Sequence, residues 1–361
     1  MTRLLIVDDS PLMRKLLVEI FAEAGGFEVA VARGGAEALE QMHGFAPDVM
    51  TLDIHMPGMD GLACLDRIMV ERPCPVVMVS SVTADGADET LEALSLGAVD
   101  FVTKPRGPVS LEIEGIAAEL LAKVRAAAKA RISRTMRLSE RVRLRAGSRI
   151  RAEATPKIAP ARPGRTAPID NVAAVIVGVS TGGPPALDAL LGPLPHDFPW
   201  PIVIAQHMPA SFTGPLARRL DRTCALRVSE VTRPTLLEPG HVYIGRGDAD
   251  LILSRRSGGA TLVPAPSQAD YPWHPSVERL VESAADVLSP ERLVGVLMTG
   301  MGADGAQALA RVREAGGHVI AQDEASSIVW GMPGALVALD GADAVLPLPE
   351  IPARLIQWAQ A

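Results

Sequence analysis

The sequence predicts two α/β domains, each formed around a doubly wound, mostly parallel sheet. Short apolar runs rich in β-branched residues alternate with longer stretches in which apolar residues recur at helical spacing. This alternation is typical of parallel sheets with crossover helices. A segment rich in Arg, Pro and Ala interrupts it once, near the middle of the 361-residue chain. Since a domain averages roughly 150 residues, the length also fits two domains.

The first unit, residues 1–125, contains five apolar runs of strand length. Amphipathic stretches, among them residues 11–24 and 35–43, separate these runs and predict helices. Five strands that alternate with helices indicate a parallel, doubly wound sheet. The strands are expected at residues 3–7, 28–32, 49–53, 76–79 and 100–103.

The second unit, residues 170–361, also has an α/β pattern. Its strands are expected at residues 173–179, 201–206, 242–244, 251–253, 293–299 and 318–321, and its clearest helices at 275–288 and 305–315. The closely spaced runs 242–244 and 251–253, followed by 261–263, predict an antiparallel hairpin added to the parallel sheet.

Residues 126–169 are expected to form a linker between the two units. Residues 123–165 include fourteen Lys or Arg residues but only two Glu residues, and the part from 154 to 168 is rich in Pro and Ala. Such a segment suits either a solvated tether or an element that docks to an acidic partner or an anionic membrane surface. The sequence leaves both interpretations open.

Composition excludes several classes of function. A net charge of −7 and an aromatic content of 3% disfavour binding to nucleic acid. Three cysteines without metal-site spacing suit a reducing compartment. The first apolar run is too short for a signal peptide, and no apolar stretch reaches the roughly 20 residues of a membrane span. We therefore expect a cytoplasmic protein without direct membrane insertion. A monomer is also expected.

Three carboxylates are predicted to meet at one edge of the first sheet. Asp8 and Asp9 follow the first strand and Asp53 ends the third, and the carboxyl ends of adjacent parallel strands converge on one crevice. Crowded like charges need a cation, and hard oxygen ligands favour Mg²⁺. Ser80 and Lys104, at the ends of the fourth and fifth strands, add a hydroxyl and a positive charge. The set suggests a phosphoryl acceptor, whereas Asp8 and Asp9 alone could simply cap the following helix.

Residues 1–125 resemble the receiver domain of response regulators, which has a flavodoxin-like (βα)5 fold. The resemblance implies that a histidine kinase phosphorylates Asp53. It also implies that Asp8, Asp9, Asp53 and the backbone carbonyl of His55 hold Mg²⁺. The motifs that carry it are Ile6-Val7-Asp8-Asp9-Ser10, Leu52-Asp53-Ile54-His55-Met56-Pro57-Gly58-Met59-Asp60-Gly61, Met78-Val79-Ser80-Ser81 and Asp100-Phe101-Val102-Thr103-Lys104-Pro105.

The same resemblance implies a switch that responds to the phosphoryl group. Ser80 would sense that group, Phe101 would be the switch aromatic, and Lys104 would help to neutralise the charge of the phosphoryl group. The Lys104-Pro105 bond is expected to be cis, as only bonds before proline readily are.

In the second unit, an apolar run ends at Gly178-Val179-Ser180-Thr181-Gly182-Gly183, and a helix is predicted to follow. A serine between glycines at a strand-to-helix turn is the pattern of a nucleophile elbow, although glycine-rich turns also bind phosphates. His207 follows the next strand, and Asp304 lies in a second glycine-rich turn. If these strands are neighbours, His207 can take the Ser180 proton while Asp304 orients the imidazole. Singly, His207 could be an ordinary polar residue and Asp304 a cap on the helix that begins at Gly305.

From about residue 171 to 348, the second unit resembles the catalytic domain of chemotaxis protein-glutamate methylesterases. The resemblance implies hydrolysis of glutamyl methyl esters on chemoreceptors by Ser180, His207 and Asp304, without a cofactor. Deamidation of receptor glutamines is a related activity of that family. The motifs are Gly178-Val179-Ser180-Thr181-Gly182-Gly183, Gln206-His207-Met208-Pro209, Met298-Thr299-Gly300-Met301-Gly302-Ala303-Asp304-Gly305 and Gln322-Asp323-Glu324-Ala325-Ser326-Ser327, followed by Gly331-Met332-Pro333.

The resemblance also implies that backbone N–H groups near Met301 and Thr181 form the oxyanion hole. His274, close to a predicted helix start, is a candidate substrate contact. The pairing of a receiver with a hydrolase suggests that the unphosphorylated receiver covers the Ser180 cleft until Asp53 is phosphorylated. The protein would then be recruited from the cytoplasm to membrane receptor arrays. Rival functions are a phospho-regulated nucleotide-binding protein, which lacks a P-loop lysine, and a DNA-binding regulator, which the acidic second unit disfavours.

Overall fold

The computed structural model describes residues 1–80, 84–104, 113–130 and 169–360. The chain divides into two compact units, Met1–Lys157 and Ile158–Ala361, and each is described by itself. Most of the predicted linker lies outside the described residues, as do Ser81 and Pro105 with its predicted cis bond. Within the described ranges, no helix is both long and apolar enough to cross a lipid bilayer.

The first unit is a five-stranded sheet in the order β2-β1-β3-β4-β5, and all its strand pairs are parallel. This is the strand order of flavodoxin-like doubly wound sheets, so the fold predicted for this unit is confirmed. The strands are β1 (Thr2–Val7), β2 (Phe27–Ala32), β3 (Val49–Asp53), β4 (Val76–Ser80) and β5 (Asp100–Thr103). The helices are α1 (Pro11–Ala24), α2 (Gly35–Gly44), α3 (Gly61–Glu71), α4 (Ala84–Leu96) and α5 (Ile113–Ala127).

Local chemistry fixes where the helices beside the carboxylates begin. The Ser10 hydroxyl accepts a hydrogen bond from the Met13 backbone N–H at 3.4 Å, and Pro11 occupies the first turn of α1, where its missing N–H costs nothing. Asp60 caps α3 in the same way, since its side chain accepts from the Ala63 N–H at 2.7 Å. Both helices therefore start directly after the strand-end loops that carry Asp8 and Asp53.

The second unit is a seven-stranded parallel sheet in the order β15-β14-β13-β6-β7-β10-β8, joined by a three-stranded antiparallel sheet in the order β11-β12-β9. Its strands are β6 (Ala174–Val179), β7 (Ile202–Gln206), β8 (Arg227–Val231), β9 (Thr235–Leu236), β10 (His241–Gly245), β11 (Asp250–Arg256), β12 (Gly259–Ala265), β13 (Leu293–Leu297), β14 (His318–Gln322) and β15 (Ala344–Leu346). Its α-helices are α6 (Gly183–Leu191), α7 (Ala210–Thr223), α8 (Val277–Leu288), α9 (Ala306–Glu314), α10 (Met332–Ala338) and α11 (Ile351–Ala359).

The predicted mostly parallel α/β fold with an antiparallel addition is confirmed, but the composition of the hairpin differs from the expectation. Residues 242–244 belong to β10, which lies inside the main sheet and pairs in parallel with β7 and β8. The hairpin is formed by β11 and β12, which pair antiparallel from Asp250–Ala265 to Arg256–Gly259. Burial explains the difference, because Val242, Tyr243 and Ile244 are all buried, as expected for a strand covered on both faces of a parallel sheet.

Both sheets have a switch point where the strand order reverses, and ligands bind open α/β sheets at such points. In the first unit the reversal falls between β1 and β3, and in the second it falls between β13 and β6. Asp8 and Asp53 flank the first crevice, while Ser180 and the loop that carries Asp304 flank the second. The fold thus places both predicted sites at the carboxyl ends of strands beside a reversal.

Candidate active site

Ser180 lies in a tight turn between β6 and α6. Its backbone N–H donates to the Thr299 carbonyl at 3.0 Å, and its carbonyl accepts from the Gly183 N–H at 2.8 Å. Gly182 is the N-terminal cap of α6 and has a φ of 77°, in the left-handed region that favours glycine. A Cβ at Gly182 would also lie 2.8 Å from the Ile328 side chain. The turn therefore needs glycine here for both its conformation and its packing.

His207 follows β7 as Ser180 follows β6. The strands pair with Val179 opposite Gln206, and the His207 N–H donates to the Val179 carbonyl at 3.1 Å. Ser180 and His207 thus leave adjacent strands at the same level. The His207 Nε2 lies 2.7 Å from Asp304 Oδ2, and the two side chains are 6% and 8% exposed. Nδ1 is buried and has no hydrogen-bond partner within the described part of the chain.

Asp304 is fixed by the start of α8. Its carboxylate accepts from the Val277 N–H at 2.7 Å, from the Glu278 N–H at 3.0 Å and from the Ser276 hydroxyl at 3.1 Å. It therefore binds the N-terminal turn of α8, and Gly305 takes the capping position of α9. Burial disfavours the charge, but the hydrogen bond and charge of His207, with the two N–H groups, outweigh it and lower the pKa of Asp304.

An anchored carboxylate bonded to one imidazole nitrogen selects the tautomer with the proton on that nitrogen. The Nε2–H of His207 then points to Asp304, and Nδ1 keeps its lone pair. A buried histidine in this state, on the strand next to that of Ser180, suits general-base activation of a hydroxyl, and its Nδ1 forms no hydrogen bond with Ser180 in this structure.

The loop before α8 contributes two aromatic rings, those of Trp273 and His274. No sequence pattern predicts the contact of Trp273 with His207. Trp273 stacks on the His207 imidazole with ring centroids 5.6 Å apart and an interplanar angle of 13°. His274 turns instead toward Asp250, with its Nδ1 2.9 Å from Asp250 Oδ1. The other carboxylate oxygen of Asp250 accepts from Arg279 Nη1 at 2.7 Å. The described contacts of His274 are thus structural, and its role as a substrate contact stays a prediction.

The predicted oxyanion residues flank Ser180. Thr181 is the next residue, and its carbonyl accepts from the Thr299 hydroxyl at 2.9 Å. Met301 follows Gly300, and a Cβ at Gly300 would lie 2.7 Å from the Ser180 Cβ. The absence of a side chain at Gly300 therefore lets the loop after β13 pass directly against the serine, which brings the Met301 backbone into its neighbourhood.

In the first unit, the structure brings the three predicted carboxylates together. Ligand atoms of Asp8, Asp9 and Asp53 all lie within 4.8 Å of one another. The Lys104 ammonium is 2.7 Å from Asp53 Oδ2 and 3.0 Å from Asp8 Oδ2. Asp8 Oδ2 is buried, and Lys104 is the cation that it faces among the described residues. One lysine cannot neutralise three carboxylates, so this donor set fits a hard divalent cation.

Burial and the neighbouring charged groups both shift the pKa of Asp53. Burial is the largest effect and raises the pKa of Asp53, and the charge of Asp8 adds to the rise. Lys104 opposes it through a hydrogen bond and its charge. The His55 N–H donates to Asp53 Oδ1 at 3.3 Å, whereas the His55 imidazole lies 3.2 Å from Glu89 Oε2. The His55 side chain is thus engaged away from Asp53, which leaves a ligand role to its backbone.

The other predicted switch residues lie on β4 and β5. The buried Ser80 hydroxyl accepts from Thr90 Oγ1 at 2.6 Å. Phe101 is buried in β5, where Lys123 donates to its carbonyl at 2.7 Å and its ammonium lies 5.1 Å from the ring centroid. Sequence reasoning missed the roles of Thr90 and Lys123, because both come from helices that pack against these strand ends.

Comparisons with known proteins cover both units. Residues 4–113 match the response regulator receiver domain, and residues 175–355 match the CheB methylesterase family. The chain is 53% identical over 367 residues to protein-glutamate methylesterase/protein-glutamine glutaminase 2 of Rhodopseudomonas palustris, covering 100% of this chain and 99% of that protein. It is 54% identical over 358 residues to protein-glutamate methylesterase/protein-glutamine glutaminase 3 of Rhodospirillum rubrum, covering 99% of this chain and 96% of that protein.

A solved structure agrees with these matches. The crystal structure of the Thermotoga maritima CheB methylesterase catalytic domain is 39% identical, has a TM-score of 0.50, and covers 52% of this chain and 98% of that chain. The resemblances that the sequence motifs indicated are thereby confirmed at the level of the family. The chain belongs to the protein-glutamate methylesterase/protein-glutamine glutaminase family, with a receiver domain followed by a CheB methylesterase domain.

Proposed function

We propose that the protein is a phosphorylation-controlled serine hydrolase that removes methyl esters from glutamate side chains of chemoreceptors. The observation that supports this most is the 2.7 Å contact between His207 and Asp304, which follow β7 and β13 on either side of the Ser180 strand β6. The family relationship supplies the substrate class, since the relatives are named as methylesterases and glutaminases.

In the acylation step, Ser180 Oγ forms a bond to the ester carbonyl carbon while its proton passes to His207 Nδ1. Asp304 stabilises the resulting imidazolium through the Nε2–H. The ester C–O bond then breaks, and the methoxy oxygen takes the proton from Nδ1 and leaves as methanol. N–H groups of Met301 and Thr181 would stabilise the negative charge on the tetrahedral intermediate.

In deacylation, water attacks the acyl carbon, His207 accepts a water proton, and that proton returns to Ser180 Oγ as the acyl bond breaks. The product is a receptor carboxylate. A receptor glutamine can follow the same course, with ammonia replacing methanol as the leaving group. His207 accepts and returns every proton in this scheme and Asp304 stabilises its imidazolium, so neither reaction needs a metal or an organic cofactor.

Asp53 is the proposed phosphoacceptor. Asp8, Asp9, Asp53 and the His55 carbonyl would hold Mg²⁺, which offsets the charge of the incoming phosphoryl group. Lys104 already contacts the Asp53 carboxylate and would also contact the negatively charged phosphoryl group. Ser80 and Phe101 lie on the neighbouring strands and would respond to it. The proposed phosphodonor is a histidine kinase of a chemotaxis-type pathway. We expect the protein to be a monomer that is recruited to membrane receptor arrays.

The direct test of the activity is methanol release. Purified full-length chain with phosphodonor and Mg²⁺ is incubated with receptor signalling domains carrying radiolabelled methyl esters. We expect volatile label to appear with time and the receptor to gain a carboxylate at each site. If the labelled receptor keeps its methyl groups after long incubation with full-length chain that is phosphorylated at Asp53, the proposal is refuted.

Phosphorylation at Asp53 should raise the hydrolysis rate. We expect acetyl phosphate with Mg²⁺ to stimulate the full chain about 5- to 150-fold, the usual range of allosteric coupling. Asp53→Asn should lose this stimulation and keep the basal rate, and chelation of Mg²⁺ should have the same effect. Asp60→Asn is the matched control, because Asn caps helices as well as Asp. Equal stimulation of Asp53→Asn and the native chain would contradict the assignment.

A further inference from the structure

Gln206, the last residue of β7, joins the backbones of the proposed nucleophile and base. Its side-chain Nε2 donates to the Ser180 carbonyl at 3.0 Å and to the His207 carbonyl at 3.1 Å. Both partners are carbonyl oxygens, so only the amide nitrogen can serve them, and the orientation of the amide is fixed. The residue is 1% exposed. Both amide protons of one buried side chain are thus committed to the two catalytic backbones.

The remaining atom of this amide explains a glycine in the elbow. Gln206 Oε1 has no hydrogen-bond partner within the described residues, and a Cβ at Gly183 would lie 1.8 Å from it. The space beside the Gly183 backbone is therefore already filled by Gln206. The Gly183 N–H also donates to the Ser180 carbonyl. The turn therefore packs against the Gln206 amide at Gly183 and is hydrogen-bonded to it at the Ser180 carbonyl.

We propose that Gln206 is a positioning residue that sets the spacing between Ser180 and His207. The inference rests on the proposed function of these two residues. Apart from the bond from the His207 N–H to the Val179 carbonyl, the segments that leave β6 and β7 continue separately into α6 and α7. The Gln206 amide bridges them directly at the two reacting residues. A displacement of about 1 Å at a reacting group can cost roughly 100-fold in rate, so this bridge bears on turnover and not on receptor binding.

A purely structural role for Gln206 makes a different prediction. A buried amide that only stabilises the sheet would, when removed, lower the melting temperature and leave the turnover of the folded enzyme unchanged. A positioning role requires that kcat falls while KM changes little, because the surface that binds the receptor is not altered.

The test uses full-length chain with phosphodonor and three variants. Gln206→Ala removes the amide, Gly183→Ala displaces it, and the double variant gives the added methyl group the space that the amide vacated. We expect kcat for methyl-ester hydrolysis to fall about 10- to 100-fold in each single variant, with KM within about threefold. The double variant should be no slower than the slower single variant, because both changes act through the same contact.

Tyr243→Phe is the matched control for loss of a buried polar bridge. Tyr243 is also 1% exposed, and its hydroxyl bonds two backbone groups outside the site, the Leu236 carbonyl at 2.9 Å and the Glu238 N–H at 3.0 Å. We expect a lower melting temperature with kcat within about threefold of the native value. If Gln206→Ala does not fold, Gln206→Met keeps most of the side-chain volume without a donor and takes its place.

A second readout separates this inference from the proposed function. The rate at which a fluorophosphonate reagent labels Ser180 reports the Ser180–His207 geometry without any receptor, and it should fall in parallel with kcat. Native kcat and native labelling in folded Gln206→Met would overturn the positioning role. A native chain that labels at Ser180 in a Gln206-dependent manner, yet releases no methanol, would instead overturn the substrate and leave the positioning role intact.

Discussion

Ser180→Ala should reduce kcat for methanol release by about 10⁶-fold, because the loss of the nucleophile alone nearly abolishes catalysis by a serine triad. The change removes only the hydroxyl. The elbow is held by backbone contacts, namely the Ser180 N–H on the Thr299 carbonyl and the Gly183 N–H on the Ser180 carbonyl. We therefore expect the variant to fold like the native chain, to bind methylated receptor, and to accept phosphate at Asp53.

The measurement is single-turnover methanol release with excess enzyme, compared with the native chain at equal receptor occupancy. Ser211→Ala is the matched control, because it removes a buried serine hydroxyl that has no hydrogen-bond partner among the described residues. We expect this control to retain native turnover. Undiminished release by Ser180→Ala would show that the elbow is a structural turn and that another group carries the reaction.

The sheet framework follows from local patterns that the sequence contains. Parallel strands buried on both faces give continuous apolar runs such as 174–179 and 293–297, and their positions were predicted to within two residues. Sequence pattern could not assign Val242–Ile244 to the main sheet, because spacing along the chain favours a hairpin while the actual pairing joins β10 to β7 and β8. Register between distant strands depends on tertiary packing.

The clustering of the proposed reactive groups was predictable because each follows an apolar run, and such strand ends share one edge in a parallel sheet. The residues that position these groups could not be predicted from the sequence. Ser276 before the apolar stretch of α8 is a recognisable N-terminal cap, yet nothing in the sequence links it to Asp304. Trp273 and Gln206 act through contacts between loops and strand ends, and no period or spacing encodes such contacts.

Asp304→Asn should lower kcat by about 10⁴-fold while the backbone geometry is kept. The amide can present its N–H to His207 Nε2, which then accepts, so the ring proton moves to Nδ1. That nitrogen is the one proposed to take the Ser180 proton, and in this tautomer it has no lone pair to do so. The variant should also be less stable, because the Val277 and Glu278 N–H groups lose a charged acceptor at the start of α8.

The pH dependence of stability gives a second signature of the same carboxylate. Since the folded-state pKa of Asp304 lies below its ordinary value, its contribution to stability is present above the ordinary pKa and is lost as pH falls through the lowered one. Melting curves of Asp304→Asn across acidic pH should therefore fall less steeply than those of the native chain.

Asp250→Asn is the comparison that isolates the triad role of Asp304. Asp250 is buried and holds the same loop through the Ser276 N–H at 2.8 Å and the Arg279 guanidinium at 2.7 Å, but it does not contact His207. If Asp304 acts only by anchoring α8, both substitutions should slow turnover to a similar extent. If Asp304 selects the His207 tautomer, Asp250→Asn should lose stability with a far smaller fall in kcat. Equal losses of turnover would argue that His207 works without an acid partner.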